Sequence, residues 1–470
     1  MARILLAKAR FTTFDQYTLV PPVGLMYLAA ALRRAGHQVR IHDSGCQWRD
    51  QDRFRAALAA FRPDIVGLSA ITVEAHVMEK LAATTRAALP GVPIVAGGPH
   101  ATAYPEWCLR VPAIDYVVLG EGEQSLPALV EVLIRGGRPD ALAGVASRGP
   151  AGEPSFGPPP EPICDLDALA FPAWDLIEID LYAQHRSMAA MGHRRYMPLV
   201  TSRGCPYRCI YCHQVHGKQF RARSPMNVLA ELEELHRCHG IRDFEVIDDI
   251  FNFDRPRMQE ILERVAALKW RPTLHFPNAL RADLLDEAQL RWLRKARTLY
   301  LSLAVDAATA RLQHLIRRNL RLEVVRHNIQ SAARHGMFVN GFFMLGFPTE
   351  TAEEARATVE FAVRSPLHAA LFSIVTPFAG TEVYEMARRL SGLRGIPRRF
   401  EEFTYSSGTA NVSAMTDQQL YGIQREAYLR FYADPRRVLR ILWTHPHRWQ
   451  LFPDGLRALV RMLPHKRWKT

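Results

Sequence analysis

Cysteine is scarce, with seven residues in 470, and an odd number excludes a fully paired disulfide framework. No basic, apolar and small-residue leader opens the chain, so the expectation is a reduced, cytoplasmic protein. No stretch reaches the ~20 apolar residues that cross a bilayer. Acidic residues are also in short supply, 47 against 60 Lys and Arg, for a net charge of +13. The shortfall is greatest at the end. From Arg436 to Thr470 nine residues are basic and only Asp454 is acidic, with Trp443, Trp449, Phe452, Leu456, Leu459 and Trp468 between them. Such a tail suits a solvated helical appendage packed on the rest of the fold, the favoured reading, and otherwise contact with an anionic membrane surface or partner. No RNA-binding module or recognition helix accompanies the charge, so nucleic acid is not an expected partner. Apolar sequence is ample: 48% supports two or three domains with cores of their own.

Apolar runs at 4–7, Val39–His42, Ile65–Ser69, Ile94–Ala96 and Tyr116–Leu119 read as buried strands. Between them Val23–Ala35, Gln51–Phe61, Glu74–Leu89 and Glu123–Arg135 read as helices, the first stopped by Gly36. This alternation predicts an α/β fold: a doubly wound, flavodoxin-like domain over 1–140 that binds ligands beyond the carboxyl ends of its strands. The proline-rich run 149–162 is expected to sustain neither helix nor ladder and marks a linker over 141–195. Strands then recur at 199–201, 243–248, 273–277, 298–304, 338–344 and 370–376. Helices alternate with them at 225–239, 255–268, 286–296, 322–335 and 351–363. Six β/α units predict a partial (β/α)6 barrel over 196–385, working at the carboxyl end of its strands. Residues 386–470 read as a basic, mainly helical C-terminal region.

The chemistry centres on Ser202-Arg-Gly-Cys-Pro-Tyr-Arg-Cys-Ile-Tyr-Cys-His213. Cys205, Cys209 and Cys212 follow C-x3-C-x2-C with no fourth cysteine near. Three thiolates can hold three corners of a [4Fe–4S] cube and leave one iron open. Zinc would need His213 or His216 as a fourth ligand in a cramped tetrahedron. The run resembles the radical S-adenosylmethionine (SAM) superfamily, with Tyr211 in the aromatic position before the third cysteine. The resemblance implies that SAM chelates the open iron and is split to a 5′-deoxyadenosyl radical. It also implies SAM contacts. Asp249 in Asp248-Asp249-Ile-Phe-Asn252, Arg281 in Asn278-Ala-Leu-Arg281 and Arg317 in Ile316-Arg-Arg318 join Tyr211 as candidates. So do Asp306, where glutamate is commoner, and Gly346 in Gly341-Phe-Phe-Met-Leu-Gly-Phe-Pro-Thr-Glu-Thr351, where Thr349 replaces a glycine. Paired Asp at a strand end also suits a helix cap, and Arg281 a surface ion pair.

Glycine-bearing loops, Gly67–Thr72, Gly97–Thr102 and Gly120–Glu123, end three strands of the first domain, where backbone N–H groups can approach a ligand. With Pro21-Pro-Val-Gly-Leu and Leu119-Gly-Glu-Gly-Glu they resemble the cobalamin-binding domain that precedes many radical SAM cores. That implies contacts from Asp43, Ser69, Ile71, Thr72, Gly97, Gly98, His100, Glu121 and Gly122. Domains that ligate cobalt through histidine carry D-x-H-x-x-G after the second strand. Ile41-His-Asp-Ser-Gly-Cys46 departs from it, His42 preceding Asp43, so cobalamin without a histidine ligand is expected. The other reading of this domain is a scaffold that has lost the cofactor.

Over roughly residues 1–385 the resemblance implies a cobalamin-dependent radical SAM enzyme using a [4Fe–4S] cluster, SAM and cobalamin. It implies methylation of an unactivated carbon of a small-molecule or natural-product substrate, through the adenosyl radical and methylcobalamin, with electrons from a flavodoxin- or ferredoxin-type reductant. The rival with the same cofactors ends in cyclisation or oxidation. A cobalamin-binding sensor module leaves the cysteine loop unexplained. A tRNA methylthiotransferase needs a second three-cysteine set, and the first domain offers only Cys46 and Cys108. Cys164 and Cys238 read as isolated structural thiols. No general base is nameable from the sequence, and hydrogen abstraction by a radical requires none.

Overall fold

The computed structural model describes residues 1–10, 19–45, 51–149, 151–192, 194–213, 215–391, 400 and 411–450. In the first sheet β1 (Arg3–Lys8), β2 (Gln38–Asp43), β3 (Ile65–Ser69), β4 (Ile94–Gly97) and β5 (Tyr116–Val118) run parallel in the order 2-1-3-4-5, the flavodoxin-like arrangement. Side chains alternate across the sheet. Leu5, Val66, Leu68 and Ile94 face the helices Gln51–Phe61 and Ala75–Ala88, while Ile4, Ile65 and Val95 face Val23–Arg34 and Gly122–Ile134. Both faces are therefore covered, which is why the strands read as continuous apolar runs.

Two antiparallel strands, β6 (Val145–Arg148) and β7 (Pro154–Phe156), extend this sheet beyond β5. The expectation that 149–162 holds no ladder is thus corrected. A proline is tolerated at the start of an edge strand, where no partner needs its missing N–H. The remainder up to Arg195 is mostly irregular but not idle: Trp174 and Ile179 are buried in the core of the second domain.

That domain is a six-stranded, all-parallel sheet of β8 (Tyr196–Leu199), β11 (Asp243–Val246), β12 (Thr273–Leu280), β13 (Tyr300–Asp306), β14 (Phe338–Leu345) and β15 (Ala369–Ile374). They lie in sequence order with β8 and β15 as unpaired edges, an open (β/α)6 barrel. β9 (Ser202–Arg203) and β10 (Arg221–Ala222) form a separate two-stranded ribbon. Apart from Leu322–Arg334, the intervening helices start on side-chain caps: Ser224, Asp254, Asp286, Thr309 and Thr351 each accept a backbone N–H, worth about 1 kcal/mol apiece.

Helix Val23–Arg34 joins the two domains. Its Leu25, Ala29 and Leu32 pack on the first sheet, whereas Val23, Met26 and Tyr27 belong to the barrel's core with Met197 and Leu199. It is apolar on two sides because it is sandwiched. Burying each larger side chain contributes about 1.5–3 kcal/mol, which makes the domain junction a packed interface. Beyond the barrel, helices Asp417–Tyr432 and Pro435–Thr444 dock beside β15: Tyr428 and Tyr432 hydroxyls accept from Phe372 N at 3.1 Å and Ala370 N at 3.2 Å. No helix among the described residues is long and apolar enough to cross a membrane.

Candidate functional site

The β9–β10 ribbon closes the loop 204–220, and this loop carries all three cysteines. Gly204 has φ +82°, and a Cβ there would overlap the Gln219 carbonyl, so the backbone before Cys205 requires glycine. Within the loop Cys205 N donates to Gly217 O and Cys212 N to Cys209 O, both at 3.3 Å. Burial pushes the Cys212 thiol up to about 12, with Cys209 and Cys205 adding to it. Cys205 is raised likewise, first by burial and then by Cys209. Thiols that hinder one another's ionisation are ill placed as free thiolates, and metal cations take the place of their protons. Among the described residues no three His, Cys, Asp or Glu side chains converge on a point fit for one metal ion. In a cube each thiolate meets its own iron, so three loop thiols fit that group without meeting at one point.

The later strand ends deliver polar groups beside this loop. A register shift in β13 lies between Ala304 and Asp306, and Asp306 has φ +66°, an uncommon backbone for a non-glycine residue. Its carboxylate accepts from Tyr211 Oη at 2.7 Å and lies 3.0 Å from Arg318 Nε. The Arg318 guanidinium is also 4.0 Å from Cys209 Sγ. Arg317, with φ +53°, forms a half-exposed ion pair with Glu382 at 2.8 Å and lines a pocket with Cys209, Cys212 and Lys218. The basic partner of Asp306 is therefore its neighbour, Arg318.

Asp249 accepts from Gly204 N at 2.8 Å and His216 Nδ1 at 3.0 Å. Burial raises its pKa, but His216 and Gly204 N together pull it below the ordinary carboxylate value. Asp248 is structural: Thr201 N and the Thr201 and Ser202 hydroxyls all donate to it. Neither aspartate caps the next helix; Asp254 does. Arg281 pairs with Asp283 at 2.9 Å, donates to Arg318 O at 2.8 Å and stacks over Tyr207 with its Cζ 3.7 Å from the ring centroid. At the end of β14, Gly346 N and Phe347 N donate to Glu350. Burial nevertheless lifts this carboxyl to about 7. Thr349 has φ +63°, so the glycine it replaces would have suited the turn.

Between the barrel face and the carboxyl edge of the first sheet lies a largely apolar cavity of about 350 Å³. Ser69, Ile71, Gly97, Gly98, Glu121 and Gly122 line one side of it, and Ser202, Arg203, His216 and Asp249 the other. Gly98 has φ +82°, and its missing Cβ leaves room for Ser69 Oγ. Three expected cobalamin contacts lie outside this lining. Asp43 is occupied by Arg10 at 2.9 Å, Tyr182 Oη at 2.9 Å and Gly45 N at 2.9 Å. Thr72 is buried in the first turn after β3. His100 sits among Tyr104, Trp107 and Phe400 with ring centroids 4.7–5.2 Å apart, its pKa lowered by burial to about 4. The Glu121 carboxylate is also taken, by arginines described below; only its position at the cavity wall matches expectation. Among the described residues no histidine of the first domain lines the cavity.

Comparison with known proteins agrees with this division. A B12 binding domain model matches residues 12–130 and a radical SAM superfamily model residues 199–362. The chain is 28% identical over 455 residues to an uncharacterized methyltransferase of Pyrococcus horikoshii, covering 95% of this chain and 94% of that one. It is 27% identical to the anaerobic magnesium-protoporphyrin IX monomethyl ester cyclase of Rubrivivax gelatinosus, over 88% of this chain and 74% of that one. Among solved structures, the radical SAM methyltransferase TsrM of Kitasatospora setae, with cobalamin and a [4Fe–4S] cluster bound, superposes with a TM-score of 0.67. The identity is 19%, over 84% of this chain and 79% of that one.

Proposed function

We propose that this chain, which belongs to the cobalamin-dependent radical SAM enzymes, methylates an unactivated carbon of a small molecule held between its two domains. One observation carries the reading: Val215 and His216, in the loop that bears the cysteines, line a single cavity with the glycine-rich ends of β3, β4 and β5, while Cys209 and Cys212 face a second pocket with Lys218 and Arg317. When bound, the cofactors supply the radical and the methyl group; the protein supplies binding and orientation. In this reading Cys205, Cys209 and Cys212 hold the cluster. Tyr211, Asp249, Arg281, Asp306 and the Gly346 backbone surround SAM, with Arg318 beside Asp306 and Arg317 beside Cys209 and Cys212. Ser69, Ile71, Gly97, Gly98 and Gly122 form the bed of the corrin. The apolar walls, Val23, Leu28, Val95, Val118 and Ile247 among them, keep water from a reactive carbon. The similarity to a named methyltransferase over nearly the whole chain supports methyl transfer. The similarity to a ring-forming cyclase makes cyclisation the second reading.

The deciding experiment is anaerobic reconstitution with cobalamin, SAM and a flavodoxin-type electron donor, followed by mass analysis. Methyl transfer yields both 5′-deoxyadenosine and S-adenosylhomocysteine; deoxyadenosine alone supports cyclisation or oxidation. Alanine at Cys205, Cys209 or Cys212 abolishes deoxyadenosine, and an undiminished yield from any of the three contradicts the cluster assignment. We infer in addition that helix Pro435–Thr444 rests on an anionic membrane surface, on the strength of its exposed Leu439 and Trp443 beside Arg436 and Arg440.

A further inference from the structure

A buried ionic network joins the first domain to the base of the thiol loop. Glu121 and Glu123 leave the end of β5 in Leu119-Gly-Glu-Gly-Glu123, while Arg203 and Arg221 face each other across the β9–β10 ribbon. Arg221 Nη1 donates to Glu121 Oε2 at 2.9 Å and its Nη2 to Oε1, a two-pronged contact. Arg203 Nη1 lies 3.4 Å from Glu121, and its Nη2 donates to Glu123. The four side chains are 3–7% exposed. Arg221 also donates to Ile163 O at 2.6 Å and to His216 O at 3.0 Å within the thiol loop, and Ile163 N donates to Glu121 at 3.0 Å.

Buried ion pairs are costly to desolvate, and apolar residues of similar size commonly stabilise an interface as well or better. What a forked guanidinium–carboxylate contact adds is fixed geometry. Here that geometry relates two places which the cavity brings together, the edge of the first sheet and the mouth of the thiol loop. We infer that Glu121, Glu123, Arg203 and Arg221 form a positioning clamp: two carboxylates at the cobalamin side grip two arginines that close the cluster loop, setting the separation of the two cofactors. Both cofactors must address one substrate carbon, and a misplacement of about 1 Å can cost about 100-fold in rate. The clamp rests on the assignment of both cofactors and holds for methyl transfer and ring closure alike.

Two readouts on the full chain test it. Hydrogen exchange follows the amides of 204–220, and pulsed dipolar electron paramagnetic resonance follows the separation of reduced cluster and cob(II)alamin in the reconstituted protein. Breaking one arm of a buried pair leaves a charge uncompensated, so Arg203→Gln should speed exchange in the loop by at least about tenfold and broaden the distance distribution, with cluster and cobalamin still loaded. Arg203→Lys, which keeps the charge, recovers most of both. If Arg203→Gln does not fold, Glu123→Gln is read the same way, since it leaves Arg203 its contact with Glu121. Unchanged exchange and an unchanged distance distribution overturn the clamp. A wild-type chain that takes up no cobalamin contradicts the cofactor assignment instead, and the exchange readout still decides whether the four residues hold the loop.

Discussion

Two adjacent arginines show what separates a legible residue from an illegible one. Ile316-Arg-Arg318 offers two identical side chains one position apart, and nothing in composition ranks them. The backbone does: with φ +53° at Arg317 the chain turns so that Arg318 reaches the buried Asp306, while Arg317 stands half-exposed with Glu382 in the pocket of Cys209 and Cys212. The expected outcome is a sharp contrast between two alanine variants. Arg318→Ala strands Asp306, 4% exposed, without its cation and should destabilise the barrel by about 3–5 kcal/mol. Arg317→Ala removes only an exposed pair, worth about 0–1 kcal/mol. Urea unfolding of both proteins checks this, and equal losses would contradict the contrast between the buried and the exposed pair. The cysteine loop was legible as one unit, since C-x3-C-x2-C spans eight residues and the β9–β10 ribbon closes them in one loop. His100 was not, since a histidine following two glycines reads alike whether it faces a ligand or, as here, an aromatic pocket.

Among elements, the strands and helices of both domains were legible through their apolar periodicity, and the short ones were not. Gly98–Ala103 and Pro105–Arg110 form six-residue helices, too short to show a period, although Pro99 and Pro105 in their first turns are the helix-start signal. A C-terminal helix packed on the barrel was one of the two readings of the tail, but the contacts that fix it were not legible. His368 accepts Val339 N on Nδ1 at 3.0 Å, and its Nε2 lies 3.2 Å from Thr444 Oγ1. Burial first, then Arg440 and Arg437 on that helix, lower its pKa from 6.5 to about 4. A histidine kept neutral by folding contributes stability that is full above pH 6.5 and is lost as pH falls towards 4, at most about 3 kcal/mol. Acid should therefore loosen helix Pro435–Thr444 before the rest of the barrel. Its hydrogen-exchange protection, corrected for intrinsic rates, should fall about tenfold per pH unit below pH 6.5. In His368→Gln that slope should flatten, and a slope unchanged by the substitution would assign the acid sensitivity to another group, His445 being the nearest buried candidate.

At the scale of the whole molecule, the junction between domains was the least readable feature, because it is made by pairs far apart in the chain. Glu121 and Arg221 are separated by 100 positions, and no local pattern links them. The charge distribution, by contrast, was plain from the start, and the fold gives it a direction. Arg437 turns inward, donating to Leu367 O at 2.7 Å and Val363 O at 2.6 Å, so one face of helix Pro435–Thr444 is anchored. The other presents Leu439 at 66% and Trp443 at 84% exposure, around a groove shared with Arg326, Arg364, Arg436 and Arg440. Apolar tips among cations suit an anionic bilayer, each basic residue near it adding about 1 kcal/mol. The full-length chain is expected to co-sediment with phosphatidylglycerol vesicles at low salt and to be released in roughly 1 M salt, where the Debye length is about 3 Å. Phosphatidylcholine vesicles should not retain it. Leu439→Glu with Trp443→Glu should abolish binding without unfolding the chain, since both side chains stand in solvent. Equal sedimentation of wild type and double variant would place the contact elsewhere, and no binding by either would leave the two C-terminal helices a purely structural part of the barrel.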